Sequence, residues 1–306
     1  METGMTKAQE KTIAKLDVET KREEKQPRKP PSIWARLRRN PGGMIGLTLT
    51  MLVLLMALAA DYIAPQGIDD QDLRKGLFAP SREFPLGTDE LGRDLLSRII
   101  YGSRVSLEVA LLVTSISTIV GVSLGAIAGF YGGKIDYIIQ GAVDISWAIP
   151  TVLLAIFLVA VMGPGLVSVM ISVGLGYWGG FARVVRGQFL SLREWEYVLA
   201  ARAIGATNAR IILRHILPNV IAPVIVMATL MMADAILIEA TLSFLGMGAQ
   251  PPIPSWGSIL SGGRAFLRLA PWVTFYPGLA IMLTVLGFNM LGDGLRDALD
   301  PRLRGL

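Results

Sequence analysis

The 306-residue chain contains no cysteine and a single histidine, His215. Without cysteine there is no disulfide, no thiolate metal site and no cysteine nucleophile. One histidine leaves little material for metal ligation or acid–base chemistry, so we expect no catalytic residue, no metal and no cofactor on this chain. The sequence also lacks a Gly-x-x-x-x-Gly-Lys-Ser/Thr phosphate loop, so this chain does not supply that cradle for ATP.

Charged residues are scarce as well, at 17% of the chain against about 25% in soluble domains. They crowd into the first forty residues and a few short loops, which leaves long uncharged stretches and a mean hydropathy of +0.53. This distribution is typical of a multi-pass membrane protein. The net charge of +5 does not indicate a nucleic-acid partner, because the basic residues flank apolar stretches and report topology in the bilayer.

Six apolar stretches are about as long as the roughly 20 residues that a bilayer-spanning helix needs. They predict an all-α membrane protein with about six transmembrane helices, at approximately 44–63, 105–130, 137–161, 166–185, 220–245 and 272–291.

The segments outside these spans differ in composition. Residues 1–32 are polar and predict a disordered cytoplasmic tail, because they hold too little apolar surface to offset the entropy of ordering. Residues 33–43 alternate Trp or Leu with Arg and predict an interfacial helix, with a plain basic flank as the alternative. We further predict an extracytoplasmic loop at 64–100, a five-helix core at 101–294 and a cytoplasmic tail at 295–306.

Basic residues indicate the orientation. They cluster in the flank before the first span, at positions 183–214 around the loop between the fourth and fifth spans, and in the C-terminal tail. With six spans all three regions lie on one side, which is the cytoplasm because short cytoplasmic loops are enriched in Lys and Arg. We therefore expect both termini in the cytoplasm.

The segment 196–219 reads as a helix, a stop at Gly205, and a second helix that ends at Pro218. Helix propensity is high around Ala200, and glycine is a common C-terminal stop. Small side chains followed by glycine would let another surface approach the backbone closely. The pattern predicts a short cytoplasmic helix that docks into a partner. The candidate coupling residues are Glu196, Ala200, Ala201, Arg202, Gly205, Arg210, Arg214, Leu217 and Pro218.

This arrangement resembles the Glu-Ala-Ala coupling loop of binding-protein-dependent ABC importers. In that motif Glu-Ala-Ala is followed, after three residues, by Gly. Nine further residues separate this Gly from a hydrophobic position, which lies two positions before the Leu of a Leu-Pro pair. The chain matches it at Ala200, Ala201, Gly205, Leu217 and Pro218. It departs at Leu199, where the motif has Glu, and at His215, where it has Ile; Glu196 lies one turn before the missing glutamate.

Three more segments, 84–94, 245–252 and 289–301, resemble the second permease subunit of the dipeptide/oligopeptide/nickel ABC importer family, and the resemblance covers residues 33–304. It implies the type I importer permease fold in a prokaryotic inner membrane. It also implies a homologous second permease, two ATPase subunits that carry ATP and Mg, and an extracytoplasmic substrate-binding protein. Di- or oligopeptides are the expected substrates, with nickel complexes, glutathione and oligosaccharides as alternatives within the family.

Charged and aromatic residues inside the spans are candidates for the translocation pathway, because charge in a membrane is costly and usually functional. In the fifth span Asp234 and Glu239 are the candidates. They either line the pathway, or they pair with an internal arginine or lie at the outer interface. In the third span, Asp144 and Trp147 precede Pro150 and predict a kinked, cavity-facing helix, with ordinary helix packing as the alternative.

Two remaining patterns predict structure. Gly87, Thr88 and Asp89 suit a turn and a helix cap before the second span. Gly125 and Gly129 have the spacing of small residues that favours close helix contact.

Two other function classes are open to a membrane protein of this composition. A secondary transporter would be expected to carry internal repeats, and the sequence shows no convincing one. An intramembrane enzyme would need clustered catalytic groups. Neither class accounts for the docking segment.

Overall fold

The computed structural model describes residues 32–299, which are helical apart from loops and one isolated β-bridge between Thr88 and Asp94. Short 3-10 turns lie at Leu73–Lys75 and Arg264–Phe266. The α-helices in chain order are α1 (Ile33–Leu37), α2 (Pro41–Leu58), α3 (Ala60–Ile63), α4 (Leu95–Tyr131), α5 (Gly133–Ala148), α6 (Thr151–Met162), α7 (Leu166–Leu192), α8 (Glu196–Ala203), α9 (Asn208–Phe244), α10 (Trp256–Gly263) and α11 (Trp272–Leu299).

Five of these helices are long and apolar enough to cross a membrane, namely α2, α4, α7, α9 and α11. The third predicted span is not one helix. It divides into α5 and α6, whose axes differ by 89° across a break at Ile149 and Pro150. The expected kink at Pro150 is therefore a full break, because proline offers no backbone N–H to the helix and its ring clashes with the preceding turn.

The packing of α4 on α7 decides how many times the chain crosses. Residue numbers rise together along this contact: Ser117 donates to the carbonyl of Gly174 at 2.8 Å, and further along Gly125 packs against Ala182. The two helices are therefore parallel. Consecutive parallel spans start on the same side of a membrane, so the α5–α6 pair between them must make one net crossing. Residues 32–299 therefore contain six crossings.

Glycines make the α4–α7 contact possible. A Cβ atom added to Gly125 would lie 2.5 Å from the carbonyl oxygen of Ala182, and one added to Gly129 would lie 2.6 Å from Cβ of Phe189. The expectation that this pair of glycines supports close helix contact is confirmed.

The two ends of the described chain meet. Asn40 caps α2 by accepting from the backbone N–H of Gly43, and its side-chain amide donates to Asp297 at 2.8 Å. Arg36 donates to the carbonyl of Ala298 at 3.1 Å, so a cation lies at the C-terminal end of α11. Because α11 extends to Leu299, residues 295–299 belong to the last helix and not to a tail as predicted.

Other predicted boundaries shift in the same way. Helix α1, in the segment 33–43 predicted to be interfacial, ends at Leu37, and residues 41–43 already belong to α2. The first span is interrupted at Ala59, and α4 starts ten residues before the predicted second span. The predicted tail at 1–32 lies outside the described residues except for Ser32, and residues 300–306 also lie outside them.

The segment before α4 forms a turn, but its helix cap is not where the sequence suggested. Asp94, not Thr88 or Asp89, caps α4 by accepting from the N–H of Ser97 at 2.8 Å. Asp89 instead closes the turn, since its carboxylate accepts from the N–H groups of Leu91 and Arg93. Thr88 accepts from the N–H of Phe78 and so joins the turn to the loop before it.

Candidate coupling site and pathway residues

Helix α8 lies against the chain with one face and is exposed on the other. On the inner face Val198 is fully buried and Ala201 is 5% exposed, and both belong to an apolar cluster with Phe130 of α4 and Phe189 of α7. On the outer face Ile204, just after the helix, is 86% exposed. The apolar cluster holds α8 on the spans, while the exposed face is available to a partner.

The C-terminal end of α8 explains the glycine at position 205. Gly205 has φ of +80°, and the N–H of Ala206 donates to the carbonyl of Ala201 at 3.0 Å. This is a Schellman end, which requires a left-handed residue that glycine adopts without strain. No atom would lie within 4 Å of a Cβ at this position. Gly205 therefore allows the left-handed turn that ends α8, and the space beside its Cα is open.

The second helix of the segment does not end at Pro218. It starts at Asn208 after its cap residue Thr207 and continues to Phe244 as α9. Proline is accommodated because residues Ile211–Ile216 form a π-helical turn, in which the N–H of Leu217 donates to the carbonyl of Ile212. The predicted stop is wrong because this turn realigns the backbone before the ring of Pro218, which then lies in the first turn of the α-helical continuation.

A continuous α9 gives the segment a direct connection to the membrane. One helix runs from the candidate docking surface to the far end of the fifth span. The predicted coupling loop 187–219 is therefore mostly helix: α7 ends at Leu192 and α9 starts at Asn208, so residues 193–207 alone lie between these two helices.

The candidate coupling residues divide into two groups. Ala201 is buried under α8, and Leu217 is half-buried, so these two hold the segment on its own spans; Ala201 does not offer the close approach to a partner that the sequence suggested. The others are exposed on the surface: Glu196, Ala200, Arg202, Gly205, Arg210, Arg214 and Pro218.

The exposed charges of the segment are mostly free. Arg202 lies over the ring of Phe130, with 5.4 Å from its guanidinium carbon to the ring centroid. Glu196, Arg210 and Arg214 have no ion pair with any residue in 32–299. His215 is half-buried, and its carbonyl accepts from the side-chain amide of Asn219 at 2.7 Å. Free cations beside an apolar exposed face suit a partner that carries carboxylates.

Among the pathway candidates, Asp144 and Trp147 are brought together by a residue that the sequence did not single out. Arg183 on α7 donates to Asp144 at 2.8 Å and stacks over Trp147 at 4.0 Å from the ring centroid. All three side chains are exposed on the isolated chain. Beside them, at the α5–α6 break, a cavity of about 300 Å³ is lined by residues that include Trp147, Pro150 and Tyr177.

The two acidic residues of the fifth span have different surroundings. Asp234 is exposed, and no cation among the described residues pairs with it. It precedes the end of α9 by ten residues, about 15 Å along the helix, which is half the thickness of a bilayer core of about 30 Å. Charged residues within spans usually face protein or a water-filled cavity, so Asp234 stays a candidate for the pathway.

Glu239 is fully buried, and Ser243 donates to one of its carboxyl oxygens at 2.5 Å. The second oxygen has no hydrogen-bond partner among residues 32–299. Because the side chain does not reach the surface of the chain, its surroundings do not support the expected lining role, and no arginine pairs with it in this range.

Sequence reasoning missed Arg183, Tyr177 and Ile204. In the sequence Arg183 is one of several basic residues around the loop between the fourth and fifth spans, and nothing there indicates its contact with Asp144, 39 positions away. Ile204 could have been noticed as a large apolar residue directly before the stopping glycine.

Two family descriptions match the chain. Residues 121–305 match the family "Binding-protein-dependent transport system inner membrane component". Residues 32–80 match the "N-terminal TM domain of oligopeptide transport permease C".

Similar curated proteins extend over almost the whole chain. The dipeptide transport system permease protein DppC of Alkalihalophilus pseudofirmus is 46% identical, over 88% of this chain and 88% of that protein. The oligopeptide transport system permease protein OppC of Bacillus subtilis is 40% identical, over 92% and 93% respectively. The glutathione transport system permease protein GsiD of Pectobacterium atrosepticum is 41% identical, over 89% and 90%.

A solved structure of the MetNI methionine ABC transporter in inward-facing conformations contains a chain with the same fold. The TM-score is 0.54 at 19% identity, with 66% of this chain and 96% of that chain covered. Together with the all-helical architecture, this confirms the expected type I importer permease fold. The chain belongs to the family of inner-membrane components of binding-protein-dependent transport systems.

Proposed function

We propose that this chain is one of two permease subunits of an ATP-driven importer of di- or oligopeptides, and that α8 with the start of α9 is its contact with an ATPase subunit. The names of the similar permeases, which include dipeptide, oligopeptide and glutathione transport, support this substrate class. The observation that carries the coupling role is the two-sided α8, buried on its own spans and exposed on the other face.

The packing supports a simple mechanical link. ATP and Mg bind on the partner ATPases, whose closure moves α8. Since Val198 packs with Phe130 of α4 and Phe189 of α7, a displacement of α8 moves those two spans. The start of α9 belongs to the same cluster through Ile211, so the fifth span moves with them.

The pathway lies between this chain and a homologous second permease, and an extracytoplasmic binding protein delivers the peptide. Asp234 and the group formed by Asp144, Trp147 and Arg183 face that shared space. Their exposure on the isolated chain supports this, because charged groups in spans face protein or water. Both termini and the coupling segment lie on the cytoplasmic side of a prokaryotic inner membrane.

The coupling role is tested by replacing one exposed residue of the docking face. In Ile204→Asp a charge enters the apolar part of that face, and we expect the ATPase subunits to be lost when the tagged chain is purified in mild detergent with its partners. The control is Leu269→Asp, a leucine that is 69% exposed on the loop before α11, on the other side of the membrane. The proposal would be contradicted if both variants lost the ATPases to the same extent, or if neither variant lost them.

The transport function is tested in proteoliposomes with a labelled dipeptide. We expect uptake to require the second permease, both ATPases, the co-purified binding protein and ATP. Uptake by this chain alone without ATP would contradict the importer and favour a secondary transporter.

A further inference from the structure

The cavity at the break between α5 and α6 lies at the depth of Asp234. The carbonyl of Met247, shortly after α9, accepts from the N–H of Gly165 at 3.1 Å, so the end of α9 and the start of α7 are at the same level. Tyr177 of the cavity wall is eleven residues into α7, about 16 Å along its axis. Asp234 is ten residues before the end of α9, about 15 Å. Both residues therefore lie near the centre of a bilayer core about 30 Å thick.

Tyr177 and Asp234 are also neighbours across the contact between α7 and α9. Tyr177 packs against the apolar cluster that contains Met231 and Ala235, which lie three residues before and one residue after Asp234. The carboxylate of Asp234 is close enough to the phenol of Tyr177 to interact with it electrostatically. Asp234 is not itself part of the lining, but its charge lies next to the cavity wall.

The charge around the cavity is negative. Its seven lining residues have no charged side chain. Beside it, Asp144 and Arg183 form an ion pair 2.8 Å long, and the next charges along the same two helices, Asp136 and Arg186, also pair with each other. Asp234 has no ion pair with any residue in 32–299. One uncompensated carboxylate at this depth favours a cation over an anion in the cavity.

The walls of the cavity suit an ammonium group. The lining contains the rings of Trp147 and Tyr177, and the face of an aromatic ring attracts a cation. Trp147 already has the guanidinium of Arg183 over one face, whereas no cation of residues 32–299 lies over the ring of Tyr177. At about 30 Å³ per water molecule, the volume of about 300 Å³ corresponds to roughly ten waters, which is room for the ammonium end of a small peptide.

We propose that this cavity binds the α-ammonium group of the transported peptide, with Asp234 as its counter-ion and the ring of Tyr177 as its wall. Non-helical backbone at this depth is tolerated where it is buried in protein or lines a water-filled cavity, so the α5–α6 break fits such a site. The inference rests on the proposed function, because it requires peptides to enter the pathway. It adds that the permease itself recognises a free amino terminus, independently of the binding protein.

The absence of cysteine from the chain makes a direct test possible. Gly180 lines the cavity and no atom lies within 4 Å of an added Cβ, so Gly180→Cys places a thiol there without a clash. Gly187, on the same helix and equally free of contacts, gives the matched control Gly187→Cys outside the lining. The membrane complex is purified in nanodiscs without added binding protein. The rates of modification by a trimethylammonium-bearing and by a sulfonate-bearing methanethiosulfonate are followed by the mass of this chain.

We expect Asp234→Asn to lower the ratio of the cationic to the anionic rate at position 180 by about threefold or more, and to leave the ratio at 187 unchanged. Asp234→Glu keeps the charge and should keep the ratio at 180. Alanine amide, which has a free ammonium and no carboxylate, should slow modification at 180 and not at 187. Neutral N-acetylalanine amide should slow neither, and Asp234→Asn should remove the protection by alanine amide.

An unchanged ratio in Asp234→Asn would overturn the proposal, and it is the result expected if a cation of the second permease pairs with Asp234. Equal protection by the two amides would overturn it as well. Thr151→Cys, also in the lining, provides the same measurements if the complex with Gly180→Cys does not assemble.

ATP-dependent uptake of a labelled dipeptide by the wild-type complex with its binding protein is measured in parallel. Uptake without protection by alanine amide contradicts this inference and leaves the proposed function standing. Protection by alanine amide without any uptake contradicts the proposed function and leaves the ammonium site standing.

Discussion

The turn before α4 and the coupling segment use their charged residues in opposite ways. In the turn, Asp89 is 2% exposed and holds Arg93 together with two backbone N–H groups. In the coupling segment, Arg210 and Arg214 are exposed and have no ion pair within the described range.

This difference separates charged residues that stabilise the fold of the chain from charged residues that are left available for the proposed partner. A sequence shows only that both segments contain charge. In the structure, Asp89 and Arg93 of the turn pair with each other, so loss of this pairing should lower the stability of the chain. In the coupling segment the charges of Arg210 and Arg214 have no ion pair within residues 32–299, so their loss should weaken the assembly with the proposed partner and leave stability unchanged.

The largest effect that would test this contrast is expected from Asp89→Ala. The change leaves Arg93 and the buried Arg98 without their carboxylate and removes the acceptor of two backbone N–H groups. Breaking a buried ion pair costs about 3–5 kcal/mol. We expect a large fall in the thermal unfolding midpoint of the detergent-purified chain and poor recovery of folded protein. A variant as stable as the wild type would show that the turn is not held by this carboxylate.

The next effect is expected from the double variant Arg210→Glu with Arg214→Glu. Both residues are exposed, so the unfolding midpoint should remain close to that of the wild type. Binding of the ATPase subunits should weaken by roughly tenfold, because complementary charge at an interface becomes like charge. Affinity is measured by titrating purified ATPase against the permease pair, at low and high salt.

The control for that experiment is Arg268→Glu with Arg264→Glu, two arginines near α10 on the opposite side of the molecule. The same loss of ATPase affinity in the control would show a nonspecific effect of net charge.

A smaller effect, of about 1 kcal/mol, is expected from Gly205→Ala, because alanine is strained at φ of +80°. Gly187→Ala is the matched change, since no atom lies within 4 Å of the added Cβ and the residue is inside α7. There alanine should stabilise the helix slightly. Unfolding midpoints that shift in the same direction for both would contradict the role of Gly205 as a left-handed stop.

Much of the fold was predictable because apolar runs and basic flanks depend on local composition. The six crossings and the stop at Gly205 are of this kind. The continuation of α9 through Pro218 was not predictable, since proline usually ends a helix and the π-helical turn that accommodates it has no sequence signature. The break at Pro150 was anticipated as a kink, but the sequence does not give its angle of 89°.

The position of the candidate coupling helix was predictable, and the side that each of its residues faces was not. The coupling motif located α8, but neighbouring alanines could not be told apart: Ala201 packs on the cluster around Phe130, while Ala200 is exposed. The same limit applies to the fifth span, where Asp234 is exposed and Glu239 is buried. In each case the side that a residue faces is set by helices distant in the sequence.

The smallest effect is expected from Glu83→Gln, which removes the exposed ion pair with Lys75, 2.6 Å long, from the same loop that contains Asp89. The hydrogen bond to Glu83 raises the pKa of Lys75, so any stabilisation is present at neutral pH and is lost only as the pH rises above the ordinary lysine value, about 10.4. Exposed pairs contribute little and are screened by salt. Unfolding midpoints of variant and wild type should therefore coincide at pH 7 in high salt. A fall comparable to that of Asp89→Ala would mean that the whole loop, and not only its buried turn, depends on internal charge pairing.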